Sequence, residues 1–479
     1  MNENDALPDD VLLVIFAFYV GSDMSLSCAW RDKVEIDACQ TLVHVCRRWR
    51  RIVLGSPRGL NLQLYCSLKT PIKKTLRVWP ALPLVVSGDM ILSSMKNVIA
   101  ALRQRSRVRQ VNLRLDRRQL EEVLAMMQAP YPELTDLRLS SNDYFAEPLV
   151  IPDSFLDGSA PRLRSFTLHK FPILGLPKLL LSANHLIYLG LTDLPYSGYI
   201  SPKAMTEILS VLSRLRVLCL VFRGNPYRPD RRRSLPPPKH SILSSLSEFR
   251  FIGPIKYLEE LVTHIDSPRL NKMHIISFNV FDLVCPRLIQ FINRTPTLRA
   301  RDKVHLQFVN WMSASIALLA RSSILRLEIE TRRLSVPLVR GFCNSSLHPL
   351  STVGDLYIEH QQGRKGFHIA KPQWLQVLLP FTAVKNLYLS KEFAPGIAAA
   401  LQELDGSRIT EVLPNLQNVF VERFEPLGPF QKKIGQFVTA RQLFGHPVAI
   451  SIRNELAWNE EEEEQECALP CVATCPAWA

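Results

Sequence analysis

The 479-residue sequence lacks the motifs that mark the common enzyme classes. It contains no GxGxxG, P-loop, GxSxG, HExxH or paired CxxC pattern. Its eleven histidines are scattered singly, which is typical of surface or core residues rather than of metal ligands. We therefore expect no catalytic residue, no metal site and no cofactor in this chain.

Cysteines are few, and no apolar run approaches the length of a membrane span. Ten cysteines spread over the chain form no dense framework, so reduced thiols are expected. The first residues read Met-Asn-Glu-Asn-Asp, which is acidic where a secretory signal is basic. These features predict an intracellular protein, cytoplasmic or nuclear or both.

The composition describes a folded, basic protein that is too long for one ordinary core. Hydrophobic residues make up 47% and charged residues 21%, with a formal net charge of +14. Arginines cluster at 103–118 and at 231–233, but no aromatic residues are interleaved with them as single-stranded nucleic-acid binding requires. A solvated basic face or a nuclear-import loop explains them better, so nucleic acid is the less favoured partner.

Two helical segments near the amino terminus carry the strongest signal. Pro8 suits the first turn of a helix, and Asp9 and Asp10 place negative charge at the positive end of its dipole. From residue 11 to residue 20 the only polar side-chain atom is the Tyr19 hydroxyl, so this helix is apolar on all sides. One of its faces should stay exposed after packing, which implies a partner protein.

The second segment reads Val45-Cys46-Arg-Arg-Trp49, with apolar residues at helical spacing and arginines between them. Together the two segments resemble the F-box, a helical module that docks on the Skp-family adaptor of cullin ubiquitin ligases. The stretch 21–40 is longer and more polar than in a minimal F-box. The overall layout is similar to that of long fungal F-box proteins. The resemblance implies an adaptor-binding surface formed by Leu7, Pro8, Leu12, Ile15, Phe16, Val45, Cys46 and Trp49.

A short apolar pattern recurs through the rest of the chain. Three apolar residues with the spacing of Leu134, Leu137 and Leu139 return at average intervals of about 28 residues, with weaker copies around Val304 and Ile450. The period and the strand-like alternation indicate leucine-rich-repeat units, which bury their strand leucines only against neighbouring units. Helices are expected between the strands, at 118–128, 202–212, 255–265, 280–292, 309–320, 373–379, 397–404 and 431–444.

We therefore predict an α/β fold in which a helical F-box precedes an irregular leucine-rich-repeat solenoid. The expected organisation is an F-box-like domain at 5–65, a connecting and capping segment at 66–107, repeats at 108–455 and a disordered acidic tail at 456–479. A closed parallel sheet would show the same alternation but with fewer strands and a phosphate-binding glycine loop, and no such loop is present.

The resemblance implies a non-catalytic, substrate-recruiting subunit of a cullin-type (SCF) ubiquitin ligase, which would reach a cullin through the adaptor. The alternative is a repeat scaffold outside any ligase, with some affinity for nucleic acid. Strand residues between the buried leucines are the candidates for binding a target protein. In the later repeats they are acidic and aromatic and should prefer a basic segment: Glu328, Glu330, Asp355, Tyr357, Glu359, Tyr388, Phe420 and Glu422. The earlier repeats offer a more basic set: Asn112, Arg114, Arg138, Arg250, Lys272 and His274.

Overall fold

The structure, a computed structural model, describes most of the chain in segments separated by gaps. The described residues are 7–21, 41–55, 63–66, 72–78, 82–89, 95–142, 151–171, 177–194, 200–223, 240–278, 285–299, 302–310, 313–320, 323–330, 350, 352–360, 369–404, 408–423 and 428–453. The acidic tail, the stretch 22–40 and the arginines at 231–233 lie outside them. The described residues divide into two compact units, the first of which ends at Asn142.

The first unit holds the amino-terminal helices and a parallel sheet. Helix Asp9–Gly21 is followed by helical residues at 41–45 and by helix Arg47–Gly55. Four strands then pair in chain order: β1 Leu64–Cys66, β2 Leu84–Asp89, β3 Val108–Leu115 and β4 Asp136–Ser141. Helices Ile72–Val78, Lys96–Leu102 and Arg117–Met126 connect them. The segment expected to join and cap the repeats thus contributes β2 to this sheet.

The second unit is a longer alternation of strands and helices. Its strands are β5 Ser165–His169, β6 Tyr188–Leu194, β7 Val217–Phe222, β8 Ser241–Ile242, β9 Glu248–Gly253, β10 Ile265–Asp266, β11 Lys272–Phe278, β12 Lys303–Asn310, β13 Ser313–Ala320, β14 Ser323–Glu330, β15 Asp355–His360, β16 Asn386–Leu389, β17 Asn418–Glu422 and β18 Ala449–Arg453. Within this unit the sheet order is β5-β6-β7-β9-β11-β14-β13-β12-β15-β16-β17-β18, and β8 pairs separately with β10.

Helices of the second unit cover one face of its sheet. They are Pro177–Ser182, Pro202–Val211, Ile255–Thr263, Pro286–Arg294, Lys371–Leu378, Ala394–Gln402, Arg408–Glu411 and Gly428–Leu443, with short 3-10 turns at Phe155–Gly158 and Pro296–Leu298. Alternate strand residues such as Phe249, Ile275 and Leu387 are fully buried beneath them. The fold is therefore mixed α/β with a mostly parallel sheet, as the sequence predicts at that level.

Capping interactions set where helices begin and tie successive helices together. Ser201 accepts a hydrogen bond from the backbone N–H of Ala204, and Pro202 occupies the first turn. The Glu259 carboxylate accepts hydrogen bonds from the backbone N–H groups of Leu288 (2.6 Å) and Arg287 (3.2 Å) at the start of the next helix. Burial raises the pKa of Glu259, and these backbone hydrogen bonds work against that rise.

The prediction of a helix at 309–320 is wrong. Residues Ser313–Ala320 form β13, which runs antiparallel to both of its neighbours, β12 and β14. The strand order is also exchanged here: β14 pairs with β11, whereas β12 pairs with β15. Strands β12 and β14 therefore do not stack in chain order. The physical cause is that β13 is buried on both faces, so its small and apolar residues pack as a strand between β12 and β14.

Candidate functional site

The two amino-terminal helices pack through an aromatic contact and an ion pair. The rings of Phe16 and Trp49 lie 4.7 Å apart at an angle of 58°. Arg48 forms a salt bridge of 2.7 Å with Asp9 and donates a hydrogen bond to the carbonyl oxygen of Leu7 at 2.5 Å. Asp9 thus serves both the helix dipole and the contact between the two helices.

One side of helix Asp9–Gly21 stays in solvent. Phe18 is 74% exposed and Ile15 is 46% exposed, and Val11, Val14 and Tyr19 are exposed as well. These five residues have the spacing of one helix face, and we refer to them as the exposed patch. Within the described residues, no other element covers this side of the helix. Contiguous apolar surface of this kind marks protein interaction sites.

The residues predicted to bind an adaptor divide into three groups. Leu7, Pro8, Ile15 and Val45 are exposed, and Cys46 and Trp49 are half-buried. Leu12 and Phe16 are not available to a partner, because they are 3% and 0% exposed and lie on the inner side of the helix. They shape the helix pair rather than the surface. The prediction omitted Val11, Val14, Phe18 and Tyr19, although the apolar run around the whole helix already marked them.

The other face of the sheet of the second unit carries a row of residues in register, most of them polar or aromatic, of which Ala317, His305 and Tyr357 are buried. Across β9, β11 and β14 the row begins with Arg250, His274 and Arg326. It continues over β13 and β12 with Ala317 and His305. On β15, β16 and β17 it ends with an aromatic series: Tyr357, Tyr388 and Phe420. We call these eight positions the polar face.

The three aromatic residues form a stacked ladder. The rings of Tyr357 and Tyr388 lie 4.1 Å apart and 4° from parallel, and those of Tyr388 and Phe420 lie 4.7 Å apart at 16°. Adjacent strands of a sheet are about 4.8 Å apart, so in-register rings meet face to face. Burial, followed by the proximity of Tyr388, raises the pKa of Tyr357. The ladder is therefore an aromatic surface held in place by strand register.

Two histidine–glutamate pairs lie on either side of β13. The Nε2 atom of His274 is 3.0 Å from Glu328, and the Nε2 atom of His305 is 3.0 Å from Glu359. His305 is 1% exposed. Burial alone would raise the pKa of Glu328, but the hydrogen bond and charge of His274, together with Arg326 and Arg250, outweigh it and leave that pKa lowered.

The remaining target-binding candidates flank the ladder. An amide series runs beside it, in which Asn418 donates to Asn386 (2.8 Å) and Asn386 donates to Asp355 (2.7 Å). Glu422 forms a salt bridge of 3.0 Å with Lys391. Glu330 ends β14, and its side chain lies outside the described part of the structure. Sequence reasoning did not identify His305, Arg326 or Lys391 as members of this region.

The more basic candidates are divided between the two units. Asn112, Arg114 and Arg138 belong to the first unit, where Asn112 and Arg138 pair in register and Arg114 donates to Asn142. Lys272 and His274 lie on β11 of the second unit, beside Arg250. In the polar face, Arg250 and Arg326 each have a buried Nε atom without a hydrogen-bond partner among the described residues.

Metal and membrane features are not found in the described residues. No group of three or more His, Cys, Asp and Glu residues there is arranged to hold a metal ion. None of the helices described there has the length and apolarity needed to cross a membrane. The described cysteines Cys46, Cys66, Cys219 and Cys285 form no disulfide among the described residues. Burial raises the pKa of Cys66 to about 11 and that of Cys285 to about 12.

A comparison of the sequence with models of known protein families finds no match, and a comparison with the curated proteins finds none either.

Proposed function

We propose that this chain is a non-catalytic recruiting subunit of a cullin-type ubiquitin ligase. In this proposal the amino-terminal helices act as an F-box that binds a Skp-family adaptor. The second unit acts as an irregular leucine-rich-repeat array that binds a target protein. The chain then accelerates ubiquitin transfer by proximity alone, since it holds the target near a conjugating enzyme supplied by other subunits.

The observation that carries the proposal is the exposed patch, which lies on the first of the two helices that resemble the F-box. Ile15 and Phe18 project apolar surface into water on the same helix that packs inward through Phe16. Burying a large apolar side chain at an interface contributes about 1.5–3 kcal/mol, so a partner that covers several of these residues gains a stable contact. The Arg48–Asp9 salt bridge holds the two helices in a fixed arrangement for that partner.

The target-binding half of the proposal is supported by the polar face. Aromatic side chains lose little conformational freedom on binding, and interface energy concentrates on such residues. The Tyr357–Tyr388–Phe420 ladder offers them already ordered. Asp355, Glu359 and Glu422 lie on the same strands and favour a basic segment of the target.

Co-purification with a Skp-family adaptor tests the proposal. We expect the unmodified chain to retain the adaptor and the double variant Ile15→Asp with Phe18→Asp to lose it, because two charges would enter an apolar interface. Both residues are exposed, so the helix pair should stay folded. A matched control is Asp10→Asn, which changes an exposed residue at the start of the same helix. An unmodified chain that never retains the adaptor would favour the alternative of a repeat scaffold outside any ligase.

A further inference from the structure

The outer face of the aromatic ladder is already occupied by a cation from the chain itself. The guanidinium carbon of Arg453 lies 4.3 Å from the ring centroid of Phe420 and 6.0 Å from that of Tyr388. Both distances are within the range of a cation–π contact. Arg453 is the last described residue of β18, the outermost strand of the second unit, and it is exposed.

The register of β18 explains how Arg453 reaches this position. Ser451 is the residue directly opposite Phe420, and Arg453 is opposite Glu422. An aromatic residue at 451 would extend the ladder, but serine is too small to cover the ring of Phe420. The long side chain of Arg453 fills the space instead, two positions further along the same strand. The ring face of Phe420 is therefore accessible to a cation, because the small side chain of Ser451 does not cover it.

Three features make this contact exchangeable. An exposed cation–π contact changes an equilibrium by only about two- to fivefold, so it is readily replaced. Glu422, the residue opposite Arg453, has its ion-pair partner in Lys391. Asp355 and Glu359 lie on β15, two strands from Phe420, and add negative charge to the same side of the sheet.

We infer that Arg453 occupies, in the free protein, the position that a basic side chain of the target protein takes on binding. On binding, an arginine or lysine of the target displaces Arg453 from the face of Phe420 and stacks there in its place. The inference rests on the target-binding half of the proposed function and adds that the site is partly self-occupied. Because Arg453 covers the ring face of Phe420 in a fraction of the molecules, the apparent affinity for the target is lowered by that fraction.

The test measures binding of a defined peptide to the full chain by fluorescence anisotropy. The probe is a labelled nonapeptide with arginine at alternate positions in a Gly-Ser background, and its counterpart carries neutral citrulline at those positions. We expect Arg453→Ala to strengthen binding of the arginine peptide about two- to fivefold and to leave the citrulline peptide unchanged. We expect Phe420→Leu, which keeps the apolar volume, to weaken it and to abolish the gain when combined with Arg453→Ala.

Arg423→Ala is the matched control, because it removes an equal charge from an exposed residue at the end of β17 beside β18. If Arg423→Ala strengthens binding as much as Arg453→Ala does, the effect is general electrostatics and the inference falls. It also falls if Phe420→Leu leaves binding unchanged while thermal unfolding shows an intact fold. Adaptor co-purification, measured on the same proteins, reports separately on the ligase assignment, so a failure of one is distinguishable from a failure of the other.

Discussion

The guanidinium of Arg441 donates a hydrogen bond to the carbonyl oxygen of Ile409 at 3.0 Å, and its side chain is fully buried. The same group also reaches the carbonyl oxygens of Leu413, Pro414 and Leu416 at 3.0 to 3.4 Å. Leu413 has a positive φ of 52°, which turns its backbone toward the arginine. One side chain of helix Gly428–Leu443 thus closes the turn that precedes β17.

We expect Arg441→Met to destabilise the second unit by about 3 kcal/mol, because several buried carbonyl groups would lose their donor. The measurement is the midpoint of urea unfolding. Lys432→Met, an exposed change on the same helix, should stay within about 0.5 kcal/mol of the unmodified chain. Equal midpoints for the two variants would show that water or neighbouring groups replace the arginine.

Stability should depend on pH through Glu328. Its pKa is lowered in the folded state, so its contribution to stability is present above the unfolded pKa of about 4.3 and is lost as the pH falls through the folded value. Glu328→Gln should flatten the pH dependence of the unfolding midpoint below about pH 5. The exposed residue Glu207 provides the control as Glu207→Gln, which should leave the profile unchanged.

Tyr388 is the central ring of the ladder, and its loss should affect capture of the target more than folding. We expect Tyr388→Ala to cost about 1–2 kcal/mol of stability and to leave adaptor co-purification intact. Proteins that accumulate in cells lacking this chain should return to their normal level when the unmodified chain is expressed again, but not when this variant is expressed. If Tyr388→Ala restores clearance while Arg250→Ala does not, the target binds the basic end of the polar face instead.

The exposed patch should also govern solubility. We expect the full chain expressed alone to associate through Phe18 and its neighbours, and co-expression with a Skp-family adaptor to suppress that association. Size-exclusion chromatography separates the two outcomes. The variant Ile15→Asp with Phe18→Asp should be monodisperse without the adaptor. A monodisperse unmodified chain would mean that the patch is covered within the protein.

The strands and most helices could be predicted because their signal is local. The apolar spacing at Leu134, Leu215 and Val384 reports burial on one face, and each copy precedes or forms a strand. The residues 313–320 mislead because alanine and leucine favour helices in isolation, whereas here the buried Ser315 and Ala317 pair with Gln307 and His305 of β12. Burial between two strands, which depends on distant residues, overrides the local preference.

The sequence could predict which residues belong to the candidate site, but not which of their side chains contact one another. Alternation along β15, β16 and β17 identifies Tyr357, Tyr388 and Phe420, but only strand register shows that their rings stack. The pairing of His305 with Glu359 joins residues 54 positions apart and leaves no local pattern in the sequence. Likewise, the burial of Leu12 could not be separated from the exposure of Ile15 within a helix that is apolar on every side.

The exchanged order of β12 and β14 has a consequence for biosynthesis. In a simple stack, each unit finds its neighbour as soon as it leaves the ribosome, and folding proceeds in the direction of synthesis. Here β11 pairs with β9 but cannot gain its second partner until β14 emerges, and β12 and β13, which pair with each other, cannot join the sheet before then. We expect ribosome-bound chains that stop after β13 to expose an unpaired strand edge and to recruit chaperones, a vulnerability confined to one interval of translation.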